Sequence, residues 1–281
     1  MYKSSFTDGR FVNIVGEEMS TVLITGASSG IGYELAKIYA ENNCNLVIVA
    51  RRKERLEELK REIEKNISDK VMVTVVEKDL GKENASKELF DHIKEKEIKI
   101  DIVINNAGFG MYGKFSDLSW EEMKRNEEMI NLNIRALTEL TKLYLDEFLK
   151  EGSGGILNVA SIAAFLPGPL MAGYYASKAY VLSFTEAVRE ETRGMGIRIG
   201  TLCPGPTSTE FEKSSSADKG GLFSNLKVMT AEKVARIAYR EFKQGKSIII
   251  PGFLNKLAVF TVRFLPGKSV TAISRRIQEK K

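Results

Sequence analysis

The sequence is poor in the residues that build metal centres and disulfide frameworks. Its 281 residues include two cysteines and one histidine. Cys44 and Cys203 stand far apart in apolar, strand-like runs, which predicts free thiols and excludes a CxxC site. His92 stands alone in a charged stretch, so no multi-histidine metal centre is expected, and no metal site of any kind is assigned. There is no apolar run of about 18 residues, so no hydrophobic transmembrane helix is expected. The opening residues lack the apolar core of a secretory signal, which makes the cytoplasm the expected location. On that reading the glycosylation sequons at Asn66 and Asn84 are chance matches. Nor is there a large excess of one charge. Forty-two basic residues face 37 acidic ones, a formal net charge of +5. A balance this mixed does not mark a nucleic-acid binder, and none is expected as a partner. No repeat of fixed period and no low-complexity linker divides the chain.

What is present is a glycine-rich turn with strand on one side and helix on the other. Thr25-Gly26-Ala27-Ser28-Ser29-Gly30-Ile31-Gly32 follows the apolar run Thr21–Ile24. It precedes Ile31, Leu35, Ala36 and Ile38, spaced as one helical face. Glycines at such a turn let backbone approach a bound group, and the helix N-terminus offers N–H groups to an anion. The pyrophosphate of a dinucleotide is such an anion. The motif Gly26-x-Ser28-x-Gly30 also matches a hydrolase nucleophile elbow. His92 is then the sole base, placed before most of the sheet, and this weighs against the hydrolase reading.

Short β-branched runs alternate with helical patterns through the rest of the chain. Strands are expected at 21–25, 46–49, 71–76, 100–104, 156–159, 197–202 and 247–250. Helices are expected at about 30–42, 53–66, 82–98, 119–150, 173–193 and 230–244. The pattern predicts a doubly wound, Rossmann-type α/β fold, with a parallel sheet of about seven strands and helices on both faces. Met19 stands directly before the first strand. Residues 1–18 are therefore expected to be an extension, and 19–281 one domain with a helical segment from about 252.

The second strand ends at Ala50, where a carboxylate favours NAD by binding the ribose 2′-hydroxyl. Here Arg51 and Arg52 follow instead, and arginine there accepts the 2′-phosphate of NADP. NADP(H) is accordingly preferred over NAD(H). The charges after Arg52 alternate at i,i+4, as on a solvated helix face.

Asp79-Leu80 and Asn105-Asn106-Ala107-Gly108 close two more strands, and the chain at this point resembles a short-chain dehydrogenase/reductase. The resemblance runs from about residue 21 to 252. It rests on the glycine turn 25–32, Asp79, Asn105–Gly108, Asn133, Ser161, Tyr174, Lys178 and Pro204-Gly205 in order. It implies that Asp79 contacts adenine and that Asn105, Asn106, Ala107 and Gly108 support the adenine-ribose side. It also implies that Thr207 and Thr209 hold the nicotinamide carboxamide and phosphates. The substrate would be a small carbonyl compound or alcohol. Homodimers or homotetramers through the two long helices are usual in such proteins.

Tyr174 and Lys178 lie four apart on one helical face. A neighbouring ammonium, together with the positive nicotinamide of the oxidised cofactor, is expected to lower the phenol, making it a general acid in reduction and a general base in oxidation. Ser161 would bind the substrate oxygen. The resemblance gives Lys178 the nicotinamide ribose, and Asn133 a water that links the lysine to solvent. Tyr175 and Asn131 are close decoys. A non-catalytic NADP-binding sensor or scaffold is the alternative, and the intact Ser161, Tyr174 and Lys178 weigh against it. Phe109, Met111, Phe165, Leu166, Met171 and Phe211 are candidates for an apolar pocket. Polar residues 210–229 suggest a lid. Beyond 252, apolar residues and a basic amphipathic helix are expected to pack over the cleft or on another subunit, with a membrane surface as the alternative.

Overall fold

The computed structural model describes residues 19–208 and 228–279. Thr209, Phe211 and most of the expected lid lie outside the described residues, as does the extension 1–18.

Seven strands form one parallel sheet. They are β1 (Thr21–Thr25), β2 (Asn45–Ala50), β3 (Val73–Glu77), β4 (Ile102–Asn105), β5 (Gly154–Val159), β6 (Ile197–Leu202) and, after a short ladder of β7 (Thr207–Ser208) with β8 (Met229–Thr230), β9 (Ile248–Ile249). Their spatial order is β3-β2-β1-β4-β5-β6-β9. The order reverses between β1 and β4, so their carboxyl ends diverge and open a crevice.

Alternate side chains of each strand feed two cores. Val22, Ile24, Leu46, Ile48, Ile102 and Ile104 face one side. There they meet α1 (Gly30–Glu41), α2 (Lys53–Asn66) and α7 (Ala231–Lys243). Leu23, Val47, Val49, Val103 and Ile156 face the other, against α3 (Ala85–Glu95) and α5 (Leu137–Glu151). Burial on both faces explains why the strands read as continuous apolar runs. Helices α1 and α7 meet through Tyr39 and Tyr239, whose rings cross edge to face at 5.0 Å. That buried contact, worth about 1 kcal/mol, outweighs the exposed Arg236–Glu41 pair beside it.

The long helical region expected at 119–150 is three joined pieces. These are α4 (Trp120–Ile130), a π-helical segment (Asn131–Ala136) and α5. Ser119 and Glu122 start α4 with a reciprocal capping box. Helix α3 starts at Ala85 rather than 82, because Asn84 adopts a left-handed conformation with φ 58°. Helix α6 (Ala172–Glu191) carries the tyrosine–lysine pair. The C-terminal segment forms α8 (Phe253–Val262) and α9 (Gly267–Glu279).

At the start of β5, Gly154 lies under the ring of Phe148. A Cβ there would stand 2.2 Å from Phe148 Cγ. Phe148 is fully buried and has no open space to retreat into. Gly154→Ala is therefore expected to destabilise the fold by about 1–3 kcal/mol through overpacking. Urea unfolding should show a lower midpoint at unchanged slope, and an unchanged midpoint would contradict this packing.

Candidate active site

A cleft of about 710 Å³ runs along the carboxyl ends of the strands. Its floor begins at the glycine turn. Gly26, Ser28, Ser29, Gly30 and Ile31 line it, while Thr25 and Gly32 shape it from behind. Thr25 Oγ1 accepts the backbone N–H groups of Asn106 and Ala107, each at 3.0 Å. Asn106 Nδ2 donates back to the carbonyls of Thr25 and Gly26. This lock brings the two loops so close that side chains at the glycines would not fit. A Cβ on Gly26 would sit 2.8 Å from Ala107 Cα, and one on Gly32 would sit 2.4 Å from Asn106 Nδ2. The Ser29 side chain makes no cap bond and the first turn of α1 holds no acid. The positive helix end is thus left for an anion. These features fit the pyrophosphate of a dinucleotide.

Arg51 and Arg52 border one end of the cleft together with Lys78, Asp79 and Leu80. Arg52 reaches back across the turn, donating to Ser28 Oγ at 3.1 Å and Ser29 Oγ at 3.0 Å. Asp79 Oδ1 accepts the Gly81 N–H, which closes the loop after β3. Lys78 escaped the sequence reading. Its one signal is its place beside Asp79 at a strand's carboxyl end.

Asn106, Ala107 and Gly108 line the middle of the cleft, but Asn105 does not. Asn105 is buried beneath, donating to Asn158 Oδ1 at 2.9 Å and Thr141 Oγ1 at 3.2 Å. Asn133, from the π segment, also stands behind the wall. Its amide accepts the N–H of Phe109 and donates to the Phe109 carbonyl and to Ser177 Oγ. Gly108 separates the cleft from this group; a Cβ there would lie 2.8 Å from Asn133 Oδ1 and 3.5 Å from Lys178 Nζ.

At the other end Ser161, Tyr174, Lys178, Pro204, Gly205 and Thr207 come together. Ser161 follows β5 and caps a 3-10 turn, accepting the Ala163 N–H at 3.1 Å. Its hydroxyl is also the hydrogen-bond partner of the Tyr174 phenol. Tyr175 points elsewhere, with its hydroxyl toward Gln278 and Ser274 of α9. Both tyrosines line the cleft, yet only Tyr174 meets Ser161. Phe109 and Met171 also line it. Met111, Phe165 and Leu166, considered for the pocket, do not.

Burial raises the Tyr174 phenol above its ordinary value, and the Ser161 bond offsets only part of that. The lowered phenol expected from the sequence counts the nicotinamide charge together with Lys178; in the protein alone the phenol is raised. Burial acts in the opposite sense on Lys178, pushing it down to about 8. Lys178 Nζ lies 5.8 Å from the Tyr174 ring centre and donates to the Val159 carbonyl at 2.9 Å. The Cys203 thiol is fully buried and raised to about 12 by desolvation, so it stays protonated. His92 lies on α3, away from the cleft lining, which leaves Ser28 without a base. Among the described residues there is no cluster able to hold a metal ion and no helix long and apolar enough to cross a membrane.

The sheet order, the glycine turn at its reversal and the polar group at its far end together define a Rossmann-type dehydrogenase/reductase. Residues 20–220 match the family described as short chain dehydrogenase, and the chain belongs to that short-chain dehydrogenase/reductase family. A dehydrogenase/reductase SDR family protein 7-like of Dictyostelium discoideum is 36% identical over 76% of this chain and 64% of its own length. This chain therefore spans under two thirds of that relative. Sulfoacetaldehyde reductase 2 of Chromohalobacter salexigens is 32% identical over 78% of this chain and 86% of its own. Among solved structures, a short-chain dehydrogenase from Sphingobium yanoikuyae in complex with NADPH superimposes with a TM-score of 0.77 at 31% identity, covering 88% of this chain and 94% of that one.

The depressed Lys178 carries a stability consequence. Its folded value of about 8 lies below the ordinary 10.5, so the unfolded chain holds the extra proton between those values. Folding stability attributable to Lys178 thus rises as pH climbs from about 8 to 10.5, by about 3 kcal/mol at most. Below pH 8 the buried charge opposes folding in full. Relative to Lys178→Met, the cofactor-free wild type should gain thermal stability between pH 7 and 10. A difference between the two proteins that does not move with pH would contradict the assigned burial of the charge.

Proposed function

We propose that this dehydrogenase/reductase interconverts a carbonyl compound and its alcohol with NADP(H), and that Tyr174 is its general acid and base. The observation that carries the reading is the Tyr174–Ser161 pair, which opens into the cleft bordered by the glycine turn and Arg52. A nicotinamide held in this cleft would supply hydride to the carbonyl carbon, or accept it from the alcohol. Ser161 holds the substrate oxygen by hydrogen bonding. Tyr174 gives that oxygen its proton in reduction. Its raised phenol stays protonated through neutral pH, which suits donation. Lys178, charged below about pH 8, steadies the developing phenolate and holds the nicotinamide ribose. Asn133 fixes the loop at Phe109 and takes part in solvent access to the lysine. Thr207, with Thr209 after it, holds the carboxamide and phosphates.

NADP(H) preference rests on Arg52, with Arg51 and Lys78 beside it and no acid at the end of β2. The relative that acts on sulfoacetaldehyde and the structural neighbour bound to NADPH support the same class of substrate and cofactor. A homodimer or homotetramer through α5 and α6 is supported by the exposed Leu149 of α5 and Tyr180 of α6.

NADPH oxidation across aldehydes, ketones and 3-oxo-acyl esters tests the activity. Tyr174→Phe should lower turnover by about 10²–10⁴ with NADPH binding intact; near-normal turnover would refute the assignment. Arg52→Ala should weaken NADPH binding by about 10–100-fold and leave NADH binding nearly unchanged. Equal loss of both cofactors would remove the arginine's role in choosing between them.

A further inference from the structure

The two C-terminal helices turn one face to the cleft and another to solvent. On the inner side Val259, Val270, Ser274 and Gln278 are buried. The Tyr112 hydroxyl donates to the Gln278 carbonyl at 3.0 Å, and Tyr175 points at the same turn. Asn255 of α8 covers Gly205 so closely that a Cβ there would lie 2.4 Å from its Nδ2. These contacts fix both helices against the substrate end of the cleft.

The outer side is apolar and uncovered. Phe253, Leu257, Phe260 and Phe264 recur at i, i+4, i+7 and i+11, one stripe along α8 and the turn after it. Phe253 is 77% exposed, Leu254 75% and Phe264 72%, whereas Val259 on the inner side is 5% exposed. Ile273 and Ile277 extend the stripe onto α9, each about half exposed. Within one chain α9 buries an inner face of Val270, Ser274 and Gln278, whereas α8 buries only Val259.

The charges that α8 and α9 carry before Glu279 have one sign. Between Gly252 and Gln278 lie Lys256, Arg263, Lys268, Arg275 and Arg276, and no acid. Glu279 follows and pairs with Arg275, and Lys256 lies 3.8 Å from Glu241. Arg263, Lys268 and Arg276 have no carboxylate partner among the described residues. A two-fold contact between copies would set this patch against itself, cation facing cation. An anionic bilayer surface presents the complementary charge and a hydrocarbon layer just beneath it.

We propose that α8 and α9 dock this protein on anionic membrane surfaces, with the apolar stripe entering the interface and the basic residues meeting lipid phosphates and carboxylates. Because the inner sides of the same helices bound the cleft, docking sets the substrate end beside the lipid. That placement suits a substrate that partitions into membranes.

The full chain should co-sediment with phosphatidylcholine–phosphatidylserine vesicles, weakly with phosphatidylcholine alone, and less as salt rises. Replacing Leu254, Phe260 and Phe264 together by Ser should reduce the bound fraction about tenfold or more. Reversing Arg263, Lys268 and Arg276 together to Glu should do the same. Retained NADPH affinity would certify that either variant is folded. Vesicle binding does not depend on turnover, so it stands or falls separately from the proposed reaction. Absence of binding to the anionic vesicles, or equal binding by wild type and both variants, overturns the proposal. Loss of a lipid-free oligomer in either variant, followed by sedimentation velocity, also overturns it, because the face would then be an interface between copies.

Discussion

The join between Thr25 and Asn106 is the constraint on which the cleft depends. A parallel sheet diverges where its strand order reverses, and the loops leaving β1 and β4 would otherwise splay apart. Thr25 Oγ1 holds two backbone N–H groups of the second loop, and Asn106 Nδ2 holds two carbonyls of the first. All these groups are thereby satisfied without water, at a point where orphaned donors would be costly. The closeness of the join then dictates glycine at 26 and 32. It also sets the N-terminus of α1 at the cleft floor. The positive helix end exposed at this floor is thus a by-product of a structural solution to strand divergence.

A second polar chain runs beneath the first. Asn105 reaches Asn158, and Asn158 Nδ2 reaches Thr185 Oγ1 on α6 at 3.0 Å. The chain therefore crosses from β4 through β5 to the helix bearing Tyr174 and Lys178. All three members are buried, and each single loss would leave an unpaired polar group in the core. Apolar packing permits small slides of α6 on the sheet, whereas these directional bonds fix its position. The phenol–Ser161 distance inherits that precision, although no member of the chain touches the cleft.

The sheet, its helices and the glycine turn were legible because their signals are local. Continuous β-branched runs and the turn glycines lie within a few residues of the features they specify. What depends on three-dimensional surroundings was not legible. In the protein alone the raised Tyr174 phenol follows from burial by distant segments, whereas the sequence displayed only the charge of Lys178 four residues on and the need for a nicotinamide. Asn133 could be chosen by its family spacing, but the π segment around it leaves no mark in the apolar pattern. Lys78 carries no motif and reaches the cleft only because β3 ends there. The apolar run in α8 was expected over the cleft or on another subunit, since composition does not say which side of a helix lacks a neighbour.

The π segment at Asn131–Ala136 divides two apolar registers. Met129 of α4 and the Leu137, Leu140, Tyr144 and Phe148 series of α5 are all buried. A wider turn between them absorbs one residue more than an α-helix would hold. Removing a single residue there would therefore restore ordinary winding and leave the buried faces of α4 and α5 in register. Removing one from the regular part of α5 would instead rotate everything beyond it by about 100°, turning Tyr144 and Phe148 out of the core. A change of length is thus absorbed at this turn and not in the regular helix after it. The spare residue sits where Asn133 is aimed at the loop of Phe109.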